Sequence, residues 1–146
     1  MGLFGLFKSN KVKTHKGFHV LNILSVDVLT KDTVKITFDI PVELKSAYKF
    51  KAGQYVDLIA EINGKEERRS YSICSGEGEP VAVAVKRVEK GVFSNWIADS
   101  LQAGMALQVS VPNGNFILDD QAKNVVAIAA GSGITPILSI AKAIEK

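Results

Sequence analysis

With 146 residues, 47% of them apolar, the chain has room for one domain with a proper core and is too hydrophobic to remain disordered. Its net charge of +3 is too small for a dedicated nucleic-acid binder, and its single cysteine excludes an internal disulfide. No stretch is long and apolar enough to span a bilayer, and the lone thiol fits a reducing, cytoplasmic setting.

The first segment, Met1-Gly2-Leu3-Phe4-Gly5-Leu6-Phe7, is apolar but lacks the basic leader and long core of a signal peptide. Leu6 stands where an N-myristoylation pattern requires Ser or Thr. Lys8, Lys11, Lys13 and Lys16 form a basic linker, so residues 1–16 are expected to be a mobile tail, with a membrane-surface or partner contact as the alternative. Residues 17–119 then read as short strands separated by turn signals. Strands are predicted over 20–29 and 33–40; in the second, Val34, Ile36 and Phe38 share one face and Pro41 ends it. The pair 55–62 and 68–73 is joined through Asn63-Gly64, a strong hairpin signal. Further strands are expected over 81–88 and 106–111, with a helix over 94–103 between them. Six strands with one interposed helix predict a mainly β fold, an antiparallel Greek-key barrel. His15 and His19 have no companion ligands for a metal, and Asp27, Asp39 and Asp57 sit in separate strands, so neither metal nor acid–base chemistry is indicated.

The strand at Arg69-Ser70-Tyr71-Ser72 carries a cation, an aromatic and two hydroxyls. Alternation sends Arg69 and Tyr71 to one face and Ser70 and Ser72 to the other. Arg presents a planar fork of donors that suits a phosphate, and Tyr presents a flat face for stacking on a ring such as isoalloxazine. Lys86, Arg87 and Lys90 form a small basic cluster ahead of Gly91-Val92-Phe93-Ser94. Here a glycine turn runs into a helix, with Ser94 read as its N-cap and Gly104 as its stop. Such a helix start offers free N–H groups to a pyrophosphate. Trp96 reads as a core residue, and Cys74 as a small buried one.

From residue 120 the pattern changes. Residues 125–130 read as an apolar strand buried on both faces of a parallel sheet, followed by Gly131-Ser132-Gly133-Ile134-Thr135-Pro136 and a helix. This is the opening βα stub of a parallel α/β unit, without the third glycine of a dinucleotide fingerprint. Ile134, Ile137, Leu138, Ile140, Ala141 and Ile144 make the helix strongly apolar. Residues 124–146 are therefore expected to form a homodimer contact, or else to fold back onto the barrel or fray.

Taken together, Arg69 to Ser72, the run from Lys86 to Trp96, Pro112-Asn113-Gly114-Asn115-Phe116, and Gly131 to Pro136 resemble the ferredoxin–NADP⁺ reductase family, nearest its oxygenase-reductase branch. The resemblance covers residues 17–146 and implies an FAD-binding barrel over 17–119 followed by the start of an NAD(P)-binding domain over 120–146. It implies that Arg69 binds flavin phosphate with Ser70 beside it, that Tyr71 stacks on the ring, and that Ser72 lies near the reactive nitrogen. Lys86, Gly91, Val92, Phe93 and Ser94 would hold the pyrophosphate. Gly131, Ser132, Gly133 and Pro136 belong to the nucleotide side, and Thr135 to the place where nicotinamide meets flavin. FAD is expected rather than FMN, whose single phosphate would not need both Arg69 and a separate turn. The implied activity is electron transfer from NAD(P)H through FAD to a ferredoxin-like iron–sulfur acceptor or oxygenase. The sequence stops one strand and one helix into the nucleotide domain, and Cys74 alone cannot hold an iron–sulfur cluster. A barrel that binds flavin or a partner without turnover is the alternative. A nucleic-acid barrel using Lys8 to Lys16 with Phe18 is disfavoured by the modest charge.

Overall fold

A computed structural model describes residues 14–145, so Lys8, Lys11 and Lys13 of the expected tail lie outside the described residues. Of the described residues of that segment, His15 makes three contacts with the barrel and its lead-in. The main-chain N–H of His15 reaches Gln108 Oε1 at 3.4 Å, its ring nitrogen lies 2.9 Å from Glu66, and its carbonyl accepts the N–H of Phe18 at 3.0 Å.

Six strands follow: β1 (Phe18–Thr30), β2 (Thr33–Asp39), β3 (Tyr55–Ile62), β4 (Lys65–Ser72), β5 (Ala82–Lys86) and β6 (Ala106–Ser110). They form one antiparallel sheet in the order β4-β3-β6-β1-β2-β5. The two end strands approach each other where Ile73 bridges Val83 and the Cys74 N–H donates to the Ala82 carbonyl at 2.9 Å, which nearly closes the sheet into a Greek-key barrel. Alternation supplies the interior: Val34, Ile36 and Phe38 from β2 and Val83 and Val85 from β5 are buried against Leu21, Val56, Leu58 and Val109.

The β3–β4 turn needs only Asn63 and Gly64, both at positive φ (52° and 74°), so β4 begins at Lys65, three residues before the expected start. At the β1–β2 turn the Thr30 hydroxyl bonds Asp32 at 2.7 Å; that bond, with the nearby Lys86 charge, holds the Asp32 carboxyl below the usual range.

Helix α1 spans Val92–Ser100, which corrects the expected 94–103. Gly91, not Ser94, is its N-cap, and Ser94 lies within the first turn, where its hydroxyl accepts the Val88 N–H at 3.1 Å. Leu101 ends the helix; Gly104, at φ 86°, turns the chain and donates its N–H to Ile23 at 2.8 Å. Phe93, Ile97 and Leu101 plug the barrel core.

Beyond β6 the expected strand at 125–130 does not form, and Val126 and Ile128 are 89% and 91% exposed. A parallel strand exists only beside a neighbour that offers its backbone groups, and no described strand pairs with this segment. The helix does form: a 3₁₀ turn at Gly131–Gly133 leads into α2 (Ile134–Ile144), with Pro136 in the first turn, where its missing N–H costs nothing. Helix α2 folds back onto the barrel through Ser139 and Ile140, which are buried, while Leu138 and Ile144 stay about half exposed. No helix among the described residues is long and apolar enough to cross a membrane.

Candidate functional site

Strand β4 has two faces with different work. On one, the Asp57 carboxylate of β3, only 8% exposed, accepts hydrogen bonds from Arg68 Nη2 at 2.6 Å and, very closely, from the Ser70 hydroxyl. Its own N–H donates to Ser110 Oγ at 2.9 Å, and the Arg68 guanidinium also lies 5.0 Å over the Phe18 ring. The hydroxyl of Ser70, expected beside the cofactor, is thus engaged on the face opposite Arg69. No linear pattern announces this cluster. The two-residue turn is the signal that could have revealed it, because it sets the register that pairs Asp57 with Ser70.

The other face carries Glu67, Arg69 and Tyr71. Arg69 pairs with Glu67 at 3.0 Å and donates to the Arg68 carbonyl at 2.6 Å, yet its side chain stays 48% exposed, with further donors in its fork. The Tyr71 ring stands 6.2 Å from that of Phe93, tilted by 32°, and Phe93 in turn lies 6.1 Å from Trp96. Burial pushes the Tyr71 phenol up to about 12, with the Arg69 charge pulling weakly the other way. The structure therefore brings Tyr71 beside the start of α1, with Arg69 two residues away on the same face of β4.

That start is open. No side chain caps it and no acid occupies its first turn, so its leading N–H groups and positive dipole end are free for an anion. Gly91 has little room: an added Cβ would lie 2.7 Å from Ser94 Oγ and 3.1 Å from the Val88 carbonyl oxygen. The amide of Asn95 ties the turn by donating to the Gly91 and Val88 carbonyls at 2.7 and 3.2 Å. The neighbouring basic cluster is largely neutralised. Arg87 pairs closely with Asp99, which raises the one pKa and lowers the other, and Lys86 lies 3.7 Å from Asp32.

Lys86 faces a second feature, a cleft of about 740 Å³ between β2, β5 and α2. Gly131, Ser132 and Thr135 line it together with Cys74 and Ser75. The Thr135 hydroxyl donates to the Ser132 carbonyl at 2.9 Å, and burial pushes the Cys74 thiol up. Gly133 and Pro136 belong to the same turn and first helical residues without lining the cleft. Ser72, at the end of β4, is two residues from Cys74. Among the described residues no group of His, Cys, Asp and Glu could hold a metal ion.

The donor set fits FAD: a guanidinium and an open helix start for two phosphates, an aromatic face for the ring, and a hydroxyl-bearing strand exit for its polar edge. Fold and site together define the flavin-binding barrel of an oxidoreductase. Residues 21–117 match the family described as oxidoreductase FAD-binding domain, and the chain belongs to that family. It is 46% identical over 128 residues to a subunit of the 1,2-phenylacetyl-CoA epoxidase of Escherichia coli, a match covering 84% of this chain and 36% of that protein. It is 35% identical over 124 residues to the glycine betaine monooxygenase reductase subunit of Chromohalobacter salexigens, covering 83% and 34%. Among solved structures, a ferredoxin NADP⁺ reductase from Neisseria gonorrhoeae with bound FAD and NADP superposes with a TM-score of 0.75 at 26% identity, covering 88% of this chain and 52% of that one. The chain thus spans about a third of the length of the curated relatives it matches.

Proposed function

We propose that this chain is the flavin-holding part of an NAD(P)H-dependent reductase that passes electrons to an iron–sulfur protein or oxygenase. The observation that carries the reading is the apposition of Tyr71 and Phe93, which brings the Arg69 strand and the open start of α1 to one place. Arg69 grips one phosphate with its planar fork, while Val92, Phe93 and Ser94 offer main-chain N–H groups to the other. Tyr71 stacks on the flavin ring, held in place by Phe93 behind it. Ser72 stands at the polar edge of the ring, with Ser70 acting behind the strand through Asp57. Lys86 adds positive charge at the rim of the cleft.

Bound FAD supplies the chemistry of accepting a hydride and releasing electrons singly. The residues of this chain bind and orient it and shield it from water. The glycine turn at Gly131–Gly133 and Thr135 form the floor on which a nicotinamide meets the flavin. The acceptor belongs to the class named in the relatives, an oxygenase or a ferredoxin-like iron–sulfur protein. The setting is the cytoplasm, in keeping with a single, buried, unpaired thiol. Exposure of Val126 and Ile128 supports self-association of this chain through residues 124–146, and a monomer by light scattering at high micromolar concentration would contradict it.

The second reading is a barrel that binds flavin without turnover. A visible absorbance spectrum of the purified chain tests both. Flavin bands are expected, and their absence overturns both readings; bleaching by NADPH separates turnover from binding alone.

A further inference from the structure

Helix α2 is built from Ile, Leu, Ala and Lys apart from its first turn and one residue, Ser139. Ser139 is 0% exposed, and its hydroxyl donates to the carbonyl of Ser75 at 2.7 Å. A buried hydroxyl costs free energy unless it is bonded, and an alanine would fill the same space without that demand. What serine adds is direction.

The receiving loop is shaped around the helix. Glu79 takes Lys142 Nζ at 3.0 Å and the Gly76 N–H at 2.8 Å on the same carboxylate oxygen. An added Cβ on Gly76 would lie 3.3 Å from Lys142 Cβ, so backbone and helix are in close approach there. On the other side, Ile140 Cδ1 would meet a Cβ on Gly53 at 3.3 Å. Ser75 is also the residue after Cys74, where the end of β4 crosses to β5.

We propose that Ser139 is a positioning residue that sets the glycine turn and Thr135 against the exit of the β4 strand. Thr135 and Ser139 are four residues apart in α2 and so share one helix face. The bond from Ser139 to Ser75 therefore fixes the rotation and height of the face that carries Thr135. Both Thr135 and Ser75 line the cleft, together with Cys74. The docking stands on the geometry alone. Its consequence for flavin rests on the role proposed for Thr135 above.

The test uses the full chain and its only cysteine as reporter. Cys74 is buried and lines the cleft together with Thr135, Leu138 and Lys142 of α2, so its alkylation by iodoacetamide at fixed pH reports movement of the helix away from that cleft. Ser139→Ala is expected to raise the labelling rate about tenfold and to speed hydrogen exchange of the α2 amides, with exchange in β1 to β6 unchanged. Ser139→Thr, which keeps the donor, is expected to stay near the wild-type rate; should its extra methyl group not fit, Lys142→Ala provides a second, milder release expected to give an intermediate rate. In the FAD-loaded chain, Ser139→Ala should shift the flavin absorption bands without changing FAD affinity. Wild-type labelling and exchange in Ser139→Ala would overturn the proposal. Bands that stay fixed while labelling accelerates would overturn the positioning of Thr135 at the flavin. If the wild-type chain binds no FAD, the function proposed above fails, and thiol labelling still decides the docking.

Discussion

The ring of Tyr71 rests against that of Phe93, 6.2 Å apart, and this contact joins two segments that lie far apart in sequence. Tyr71 ends the polar face of β4, and Phe93 sits in the first turn of α1. A cation and an aromatic on a strand would alone be an ordinary sheet face. Set beside an uncapped helix start they carry the proposed flavin site, with one flat wall and two places for negative charge.

Arg69→Ala is expected to weaken FAD binding by about 1.5–3 kcal/mol, the range for a hydrogen bond to a charged group. Its ion pair with Glu67 is about half exposed on the arginine side, and Lys65 lies 3.7 Å from the same carboxylate, so thermal stability should change little. Calorimetric titration beside a melting curve separates the two; unchanged affinity removes Arg69 from the site.

Gly91→Ala acts through space rather than charge. The new methyl group meets Ser94 Oγ, which must turn away and abandon the Val88 N–H. The expected result is a loss of about 1–3 kcal/mol of stability, typical of forced overpacking, together with weaker FAD binding because the turn is displaced. Denaturant unfolding with and without FAD checks both effects.

Asp57→Ala leaves the Ser70 hydroxyl and the Arg68 guanidinium without their shared acceptor. Arg68 and Ser70 are both exposed, so water covers the groups left behind, and the cost is the loss of two hydrogen bonds to a charged acceptor. The expected loss is about 1–3 kcal/mol, read as a fall of the melting temperature by about 2–4 °C per kcal/mol. FAD affinity should fall less than in Arg69→Ala, since Asp57 supports the strand from behind.

Much of this was legible in the sequence, and the failures have causes. The strand count, the Asn63-Gly64 turn and the inward set Val34, Ile36, Phe38 follow from local rules, period and turn chemistry. The start of α1 was misplaced because Ser94 has the chemistry of an N-cap, while the structure spends that hydroxyl on Val88. The strand expected at 125–130 depends on a neighbour, which no local pattern records. The bonds from Asp57 to Ser70 and from Ser139 to Ser75 come from register and docking, so neither is visible to a reading along the chain.

Alkaline titration reads the burial of the site. The phenols of Tyr48 and Tyr71 are both pushed up to about 12 by burial, above the usual value near 10. A raised pKa means that folding favours the protonated phenol. That preference is fully present below pH 10 and is lost as pH rises from about 10 to about 12. Absorbance at the tyrosinate band should therefore show Tyr48 and Tyr71 still largely protonated at about pH 10.5, and the stability that this reflects should fall between about pH 10 and about pH 12. Bound FAD should delay the ionisation of Tyr71 further. Ordinary titration of Tyr71 near pH 10 in the folded chain would show that its phenol is not buried.

The most direct test is calorimetric titration of the flavin-free chain with FAD and, separately, with FMN. If Arg69 and the start of α1 each hold a phosphate, FAD binds at one site per chain and more tightly than FMN by at least tenfold, and the advantage shrinks in Gly91→Ala. No heat with either flavin, or equal affinity for the two, would contradict the account.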